Sequence, residues 1–143
     1  MLCQQARSVL AANRFAWAVL LAALSLITVA GNAVLAAEDA QAVSRGLTVY
    51  ENNCAGCHSV EANRVGPKHA GIVGRKAGSI KDFSYSAALK KSELIWNKDL
   101  LVRWLTDPEQ VIPGQAMGFR LGNVQDRMDV VAYLATLKAV PLK

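Results

Sequence analysis

The sequence predicts a small all-α domain, and three observations predict it. Apolar residues recur at steps of three and four in segments near 43–54, 100–105 and 130–137, the spacing of one helical face. No run alternates apolar and polar residues convincingly enough for a strand. The stretches between the periodic segments are rich in glycine, proline and small residues, which mark turns and loops.

Taken in order, residues 1–37 hold Arg7 and Arg14, no acidic residue, and an uncharged apolar stretch of 23 residues from Phe15 to Ala37 that ends in small side chains. This reads as a secretory signal peptide cleaved after Ala36, in Val34-Leu35-Ala36, with Ala37 the next site. The alternative is an uncleaved membrane anchor, because such a stretch can cross a hydrocarbon core about 30 Å thick. The expected organisation is therefore a leader over 1–36 and one domain over 37–143. Cys3 lies upstream of the apolar stretch and is given no function. The chain carries 16 Lys plus Arg against 11 Asp plus Glu; with Arg7 and Arg14 removed, the charge from Glu38 onward is only +3. That mild balance, with no stripe of basic and aromatic residues, gives no reason to expect a nucleic-acid partner.

Val43, Leu47, Tyr50 and Cys54 fall on one face of a first helix, with Asp39 or Ser44 as its expected cap. From His58 to about Phe83 a loop is expected, punctuated by Gly66, Pro67, Gly71, Gly74 and Gly78. Ser86 to Lys91 suggests a short helix. Asn97 is a good cap for a segment holding Leu100, Leu101, Trp104 and Leu105 that stops before Pro108. A second loop runs through Pro113 and Gly114 to Gly122. Asn123 caps a last helix, built on Val130, Val131, Leu134 and Leu137, that Pro141 is expected to end.

The first helix delivers the chain to Cys54-Ala55-Gly56-Cys57-His58. Two thiols three positions apart can each add across one haem vinyl group, and the histidine that follows then sits beneath the ring with a nitrogen for the iron. Competing uses of these residues are weaker. A structural zinc site needs four ligands, and the chain offers only Cys3 and His69 besides, with no second Cys-x-x-Cys pair. A thioredoxin-type motif would sit among alternating strands and helices. A disulfide leaves the adjacent His58 unexplained. A domain of 106 residues from Glu38 is also small for a self-sufficient apolar core, a deficit that a buried haem would fill. The second axial partner decides between an open, reactive iron and a closed one. Met117, in the glycine and proline loop Ile112-Pro113-Gly114-Gln115-Ala116-Met117-Gly118-Phe119, is the candidate.

From Gly46 to about Leu137 the chain resembles the class I cytochromes c, the group of mitochondrial cytochrome c and its small soluble bacterial relatives. The likeness rests on Cys54 to His58, Gly66-Pro67, Gly74-Arg75-Lys76, Phe83-Ser84-Tyr85-Ser86, Trp96, Ile112-Pro113-Gly114 with Met117, and Ala132-Tyr133-Leu134. The resemblance implies a small cytochrome c fold, helices and loops wrapped around one covalently attached haem c. It implies thioethers at Cys54 and Cys57, His58 as proximal and Met117 as distal ligand of the iron, and the Pro67 carbonyl accepting a hydrogen bond from His58. By the same carry-over Arg75, Tyr85 and Trp96 are the positions that contact the haem propionates, and Gly46 and Tyr50 those where the first helix crosses the last. The function implied is that of a periplasmic one-electron carrier and not an enzyme. It would be a monomer, with a membrane oxidoreductase, a terminal oxidase or a periplasmic dehydrogenase as redox partner and no membrane association unless the leader is retained. Ala116, Glu109 and Gln110 stand where mitochondrial members carry lysines, so part of the basic docking ring is missing; Lys68, Lys76, Lys90, Lys91, Lys98 and Arg120 are the candidates to replace it. His69 occupies a position usually apolar and is expected to be a surface or edge histidine.

Overall fold

In the computed structural model the described residues are 37–139; the expected leader over 1–36 and Pro141 lie outside them. Helix α1 spans 37–53, and Asp39 and Ser44 both lie inside it, so neither is its cap. Its buried face is centred on Gly46 and Tyr50, and Leu47, expected on that face, is 40% exposed. The reason is the closeness of the crossing with the last helix. A Cβ at Gly46 would lie 2.0 Å from the Asp129 carbonyl oxygen and 2.9 Å from Tyr133 Cβ, so only glycine permits this approach. The residue after it is turned about 100° away. Beside the crossing, Arg45 reaches over to Asp129, its Nε and Nη2 donating at 2.6 and 2.9 Å, and Gln125 Nε2 adds a third bond at 2.9 Å. The hydrogen bonds from Arg45 hold the Asp129 carboxyl below the usual carboxylate range.

Helix α2, Ala87–Lys91, starts where Ser86 Oγ accepts the Leu89 amide at 3.3 Å. Helix α3, Lys98–Thr106, is capped as expected by Asn97, whose Oδ1 accepts from the Leu100 amide at 2.8 Å. A four-residue helix α4, Pro108–Val111, stands where only a loop was expected. Asp107 caps it by accepting from the Glu109 amide, and Pro108 supplies the fixed φ of a first turn. Helix α5, Val124–Thr136, begins at Asn123, whose Oδ1 accepts two amides at 2.8 and 3.1 Å. It ends at Thr136 and does not run on towards Pro141. Leu137 is extended there, and its carbonyl accepts the Gly71 amide at 2.9 Å.

The described residues contain no strand, only an isolated antiparallel bridge between Lys76 and Ile95. Leu101, Trp104 and Leu105 of α3 and Val130, Val131 and Leu134 of α5 form the core with Tyr50, Trp96, Ile112 and Leu121. No described helix is long and apolar enough to cross a membrane.

Candidate functional site

The C-terminal turn of α1 builds one wall of the site. The Cys54 and Ala55 amides both donate to the Tyr50 carbonyl, and the Cys57 and His58 amides to the Cys54 carbonyl at 3.1 and 2.9 Å. This tight turn puts Cys54, Cys57 and His58 on the wall of one cavity. Both cysteines are free, Cys54 half-buried and Cys57 exposed, and burial pushes the Cys54 thiol up to about 11. His58 Nδ1 lies 2.8 Å from the Pro67 carbonyl, which can only accept; Nδ1 therefore carries the hydrogen, and Nε2 keeps its lone pair. Burial lowers the His58 pKa more than this bond raises it, which favours the neutral ligand form.

The loop after His58 is folded back on the motif. The Gly66 amide donates to the Cys57 carbonyl at 2.8 Å, and those of His69 and Ala70 donate to the Ser59 and Val60 carbonyls. Gly66 lies so close to His58 that an added Cβ would be 2.1 Å from Cε1 and 2.5 Å from each ring nitrogen. His69 is not the surface or edge histidine expected from the sequence. Its ring stacks on that of His58, centroids 4.2 Å apart and planes 18° from parallel, with Nδ1 3.3 Å from the Tyr50 hydroxyl. Burial, then His58 and Arg75, push its pKa down to about 3.

Met117, half-buried in the middle of the loop between α4 and α5, lines the same cavity. Trp104 donates its indole N–H to Met117 Sδ at 3.3 Å. The loop itself is braced: the Gly114 amide donates to Glu109 Oε1 at 2.8 Å, Gln115 Nε2 approaches Glu109 Oε2 at 3.3 Å, and the Met117 amide donates to Gln115 Oε1. Gly114, at φ 82°, occupies the left-handed region that the bend demands. The sequence places Trp104 only in an apolar helical segment and Glu109 only where mitochondrial members carry a lysine. A signal was present for each: an indole on an otherwise aliphatic helical face, and a carboxylate five residues before a loop glycine.

Arg75, Tyr85 and Trp96 line the same cavity. Arg75 donates to the Ala70 and Lys68 carbonyls at 2.8 and 2.9 Å, binding the loop after Pro67, and burial lowers its pKa. Tyr85 meets Phe83 edge to face, and burial raises its phenol pKa while Arg75 opposes the rise. Trp96 packs edge to face on Trp104 at 5.1 Å. All eight residues singled out from the sequence thus lie on or directly beside one cavity of about 470 Å³, within the range of cofactor sites of roughly 300–1,000 Å³. Its walls are largely apolar, with Ile72, Leu89, Leu101, Leu105, Val130 and Leu134 among them. Two free thiols, an imidazole with an available lone pair and a thioether around an apolar space form a donor set that fits a covalently held haem.

Known proteins give the same picture. The sequence profile of the family described as cytochrome c matches residues 43–138. Cytochrome c2 of Rhodopseudomonas palustris is 38% identical over 136 residues, covering 83% of this chain and 97% of the relative. Cytochrome c2 iso-2 of Magnetospirillum molischianum is 50% identical over 88 residues, 59% of this chain and 91% of the relative. Among solved structures, cytochrome cH from Methylobacterium extorquens superposes with a TM-score of 0.62 at 38% identity, covering 66% of this chain and 97% of its own.

Proposed function

Because this chain belongs to the cytochrome c family, whose members hold haem c through Cys-x-x-Cys-His and pass electrons between redox proteins, we propose that it is a periplasmic one-electron carrier with iron ligated by His58 and Met117. One observation carries the reading. His58, its Nδ1 hydrogen committed to Pro67, and Met117, its sulfur supported by Trp104, line a single apolar cavity together with Cys54 and Cys57.

The haem supplies the one-electron couple; the chain's residues tune and protect it. Cys54 and Cys57 provide the thioether sulfurs. The Pro67 carbonyl orients His58 and strengthens it as a donor. The Met117 thioether and the apolar walls disfavour the additional positive charge of the oxidised state, so the midpoint potential is high. Arg75, Tyr85 and Trp96 would lie near the propionates, whose charge the Arg75 cation would offset. With His58 and Met117 both ligating the iron, a small ligand would bind only by displacing one of them. Exchange with partners passes near the exposed Cys57 and Phe119, where contacts are weak and steered by charge. The leader over 1–36 exports the chain, which works as a monomer with a membrane oxidoreductase, a terminal oxidase or a periplasmic dehydrogenase.

Expression of the full chain with a haem-ligation system tests the reading. The expected product gains the mass of one haem, begins at Ala37 or Glu38, and shows in its oxidised form the red-edge absorption band of thioether ligation. A colourless product, or an oxidised haem protein without that band, overturns it.

A further inference from the structure

We propose that His69 is a positioning residue for His58, its stacked ring limiting the twist of the proximal imidazole that the iron, the Pro67 bond and the His58 backbone leave open. The proposal rests on the assignment of His58 as an iron ligand. Besides the iron at Nε2, the ring is held at Nδ1 by the Pro67 carbonyl at 2.8 Å and at Cγ by its own Cβ, which set its general orientation. The smaller twists that these leave open are limited by what packs on the ring. Gly66 presses close to its edge atoms, and His69 covers a face at 4.2 Å with the planes 18° apart.

A flat partner couples the two planes, because turning one ring opens the stack and loses contact over the whole face. A branched aliphatic chain would pack nearly as well over a wide span of angles. His69 is itself held on two sides. Its amide donates to the Ser59 carbonyl at 3.0 Å, and Nδ1 lies 3.3 Å from the Tyr50 hydroxyl, with the Tyr50 ring edge-on at 5.6 Å. Tyr50 in turn packs on Tyr133 of α5 at 5.3 Å. The crossing of α1 and α5 is thus linked through Tyr50 and His69 to the plane of the proximal ligand. The π orbital of that imidazole overlaps an iron d orbital normal to its ring, so the ring angle decides how unpaired spin in the oxidised protein divides among the four pyrroles.

The test compares wild type, H69L and H69F as oxidised holoproteins by proton NMR of the haem methyl groups, whose contact-shifted resonances report the imidazole plane. The expected result is a reordered or compressed set of methyl shifts in H69L and a return to the wild-type pattern in H69F, which restores a flat stack. Wild-type shifts in H69L, or an H69F pattern displaced as far as that of H69L, overturn the role. If H69L does not accumulate with haem, H69M takes its place: reordered methyl shifts that return in H69F support positioning by stacking, and wild-type shifts refute it. Failure of the underlying ligand assignment is recognised separately, by a wild-type protein that is not low-spin with a methionine ligand.

Discussion

Replacing Gly66 by alanine isolates the packing that brings His58 to its site. The new Cβ would sit 2.1 Å from Cε1, and reaching even 3.0 Å, the closest approach a real Cβ makes, requires ring or loop to retreat by at least about 0.9 Å. The Gly66 amide is tied to the Cys57 carbonyl at 2.8 Å, inside the motif itself, so the loop has little freedom to move. The ring must give way, and retreat by that amount takes the 2.8 Å bond to Pro67 beyond the limit of about 3.5 Å. Overpacking of this kind costs about 1–3 kcal/mol, and loss of the hydrogen bond about 0.5–1.5 kcal/mol more. The sum, about 1.5–4.5 kcal/mol, is a large part of a typical domain stability of about 5–15 kcal/mol. Guanidinium unfolding of oxidised holoprotein should show a midpoint lowered accordingly, with a higher redox potential, because the weakened Pro67 bond leaves His58 a poorer donor to the oxidised iron. A G66A protein with wild-type midpoint and wild-type potential would falsify the claim that Gly66 and Pro67 together fix the proximal ring.

Four further outcomes are expected. M117A should bind carbon monoxide when reduced and show a lower potential; an unchanged potential removes Met117 from the iron. W104F loses the N–H on Met117 Sδ, worth about 0.5–1.5 kcal/mol, so cyanide should bind the oxidised protein about 2–10 times more tightly, and equal affinity would count against the bond. E109A releases Gly114 and Gln115, and the red-edge band should melt at a lower temperature than in E109Q, with identical melting curves as the contrary result. Asp129 has a folded pKa below the ordinary 3.8, so its contribution is fully present above that value and disappears as pH falls through the lower folded one. The stability of D129N should therefore fall less steeply than that of wild type below pH 3.8, and parallel curves would show that the Arg45 pair is not linked to folding.

Most of the helical plan was legible because its signals are local. Asn97 and Asn123 announce α3 and α5 through side-chain oxygens that serve the next amides, chemistry confined to a few residues. The cavity was legible for a different reason: the pentapeptide at 54–58 has a spacing set by the porphyrin, and the family likeness located its distant partners. What escaped depends on the crossing of elements far apart in sequence. Leu47 has the right periodicity for burial, yet the near contact of Gly46 with Asp129, 83 positions later, turns it outward. Past the early end of α5 the chain is extended and bonds across to the loop, Leu137 accepting from Gly71. His69 reads as a polar residue in a loop, and only the return of that loop onto the motif, through bonds from His69 and Ala70 to Ser59 and Val60, brings it against His58. Trp104 and Glu109 lie near Met117 in sequence, but their roles need the loop's path and not just its composition. Helix α4 is four residues long, too short for any periodicity to register.

The most direct measurement is the visible spectrum of the reduced wild-type holoprotein before and after carbon monoxide is admitted. Iron held by both His58 and Met117 gives superimposable spectra under conditions in which M117A responds. A prompt shift of the main haem band in the wild type would mean a vacant axial position, and a ligand-binding or catalytic haem instead of a carrier.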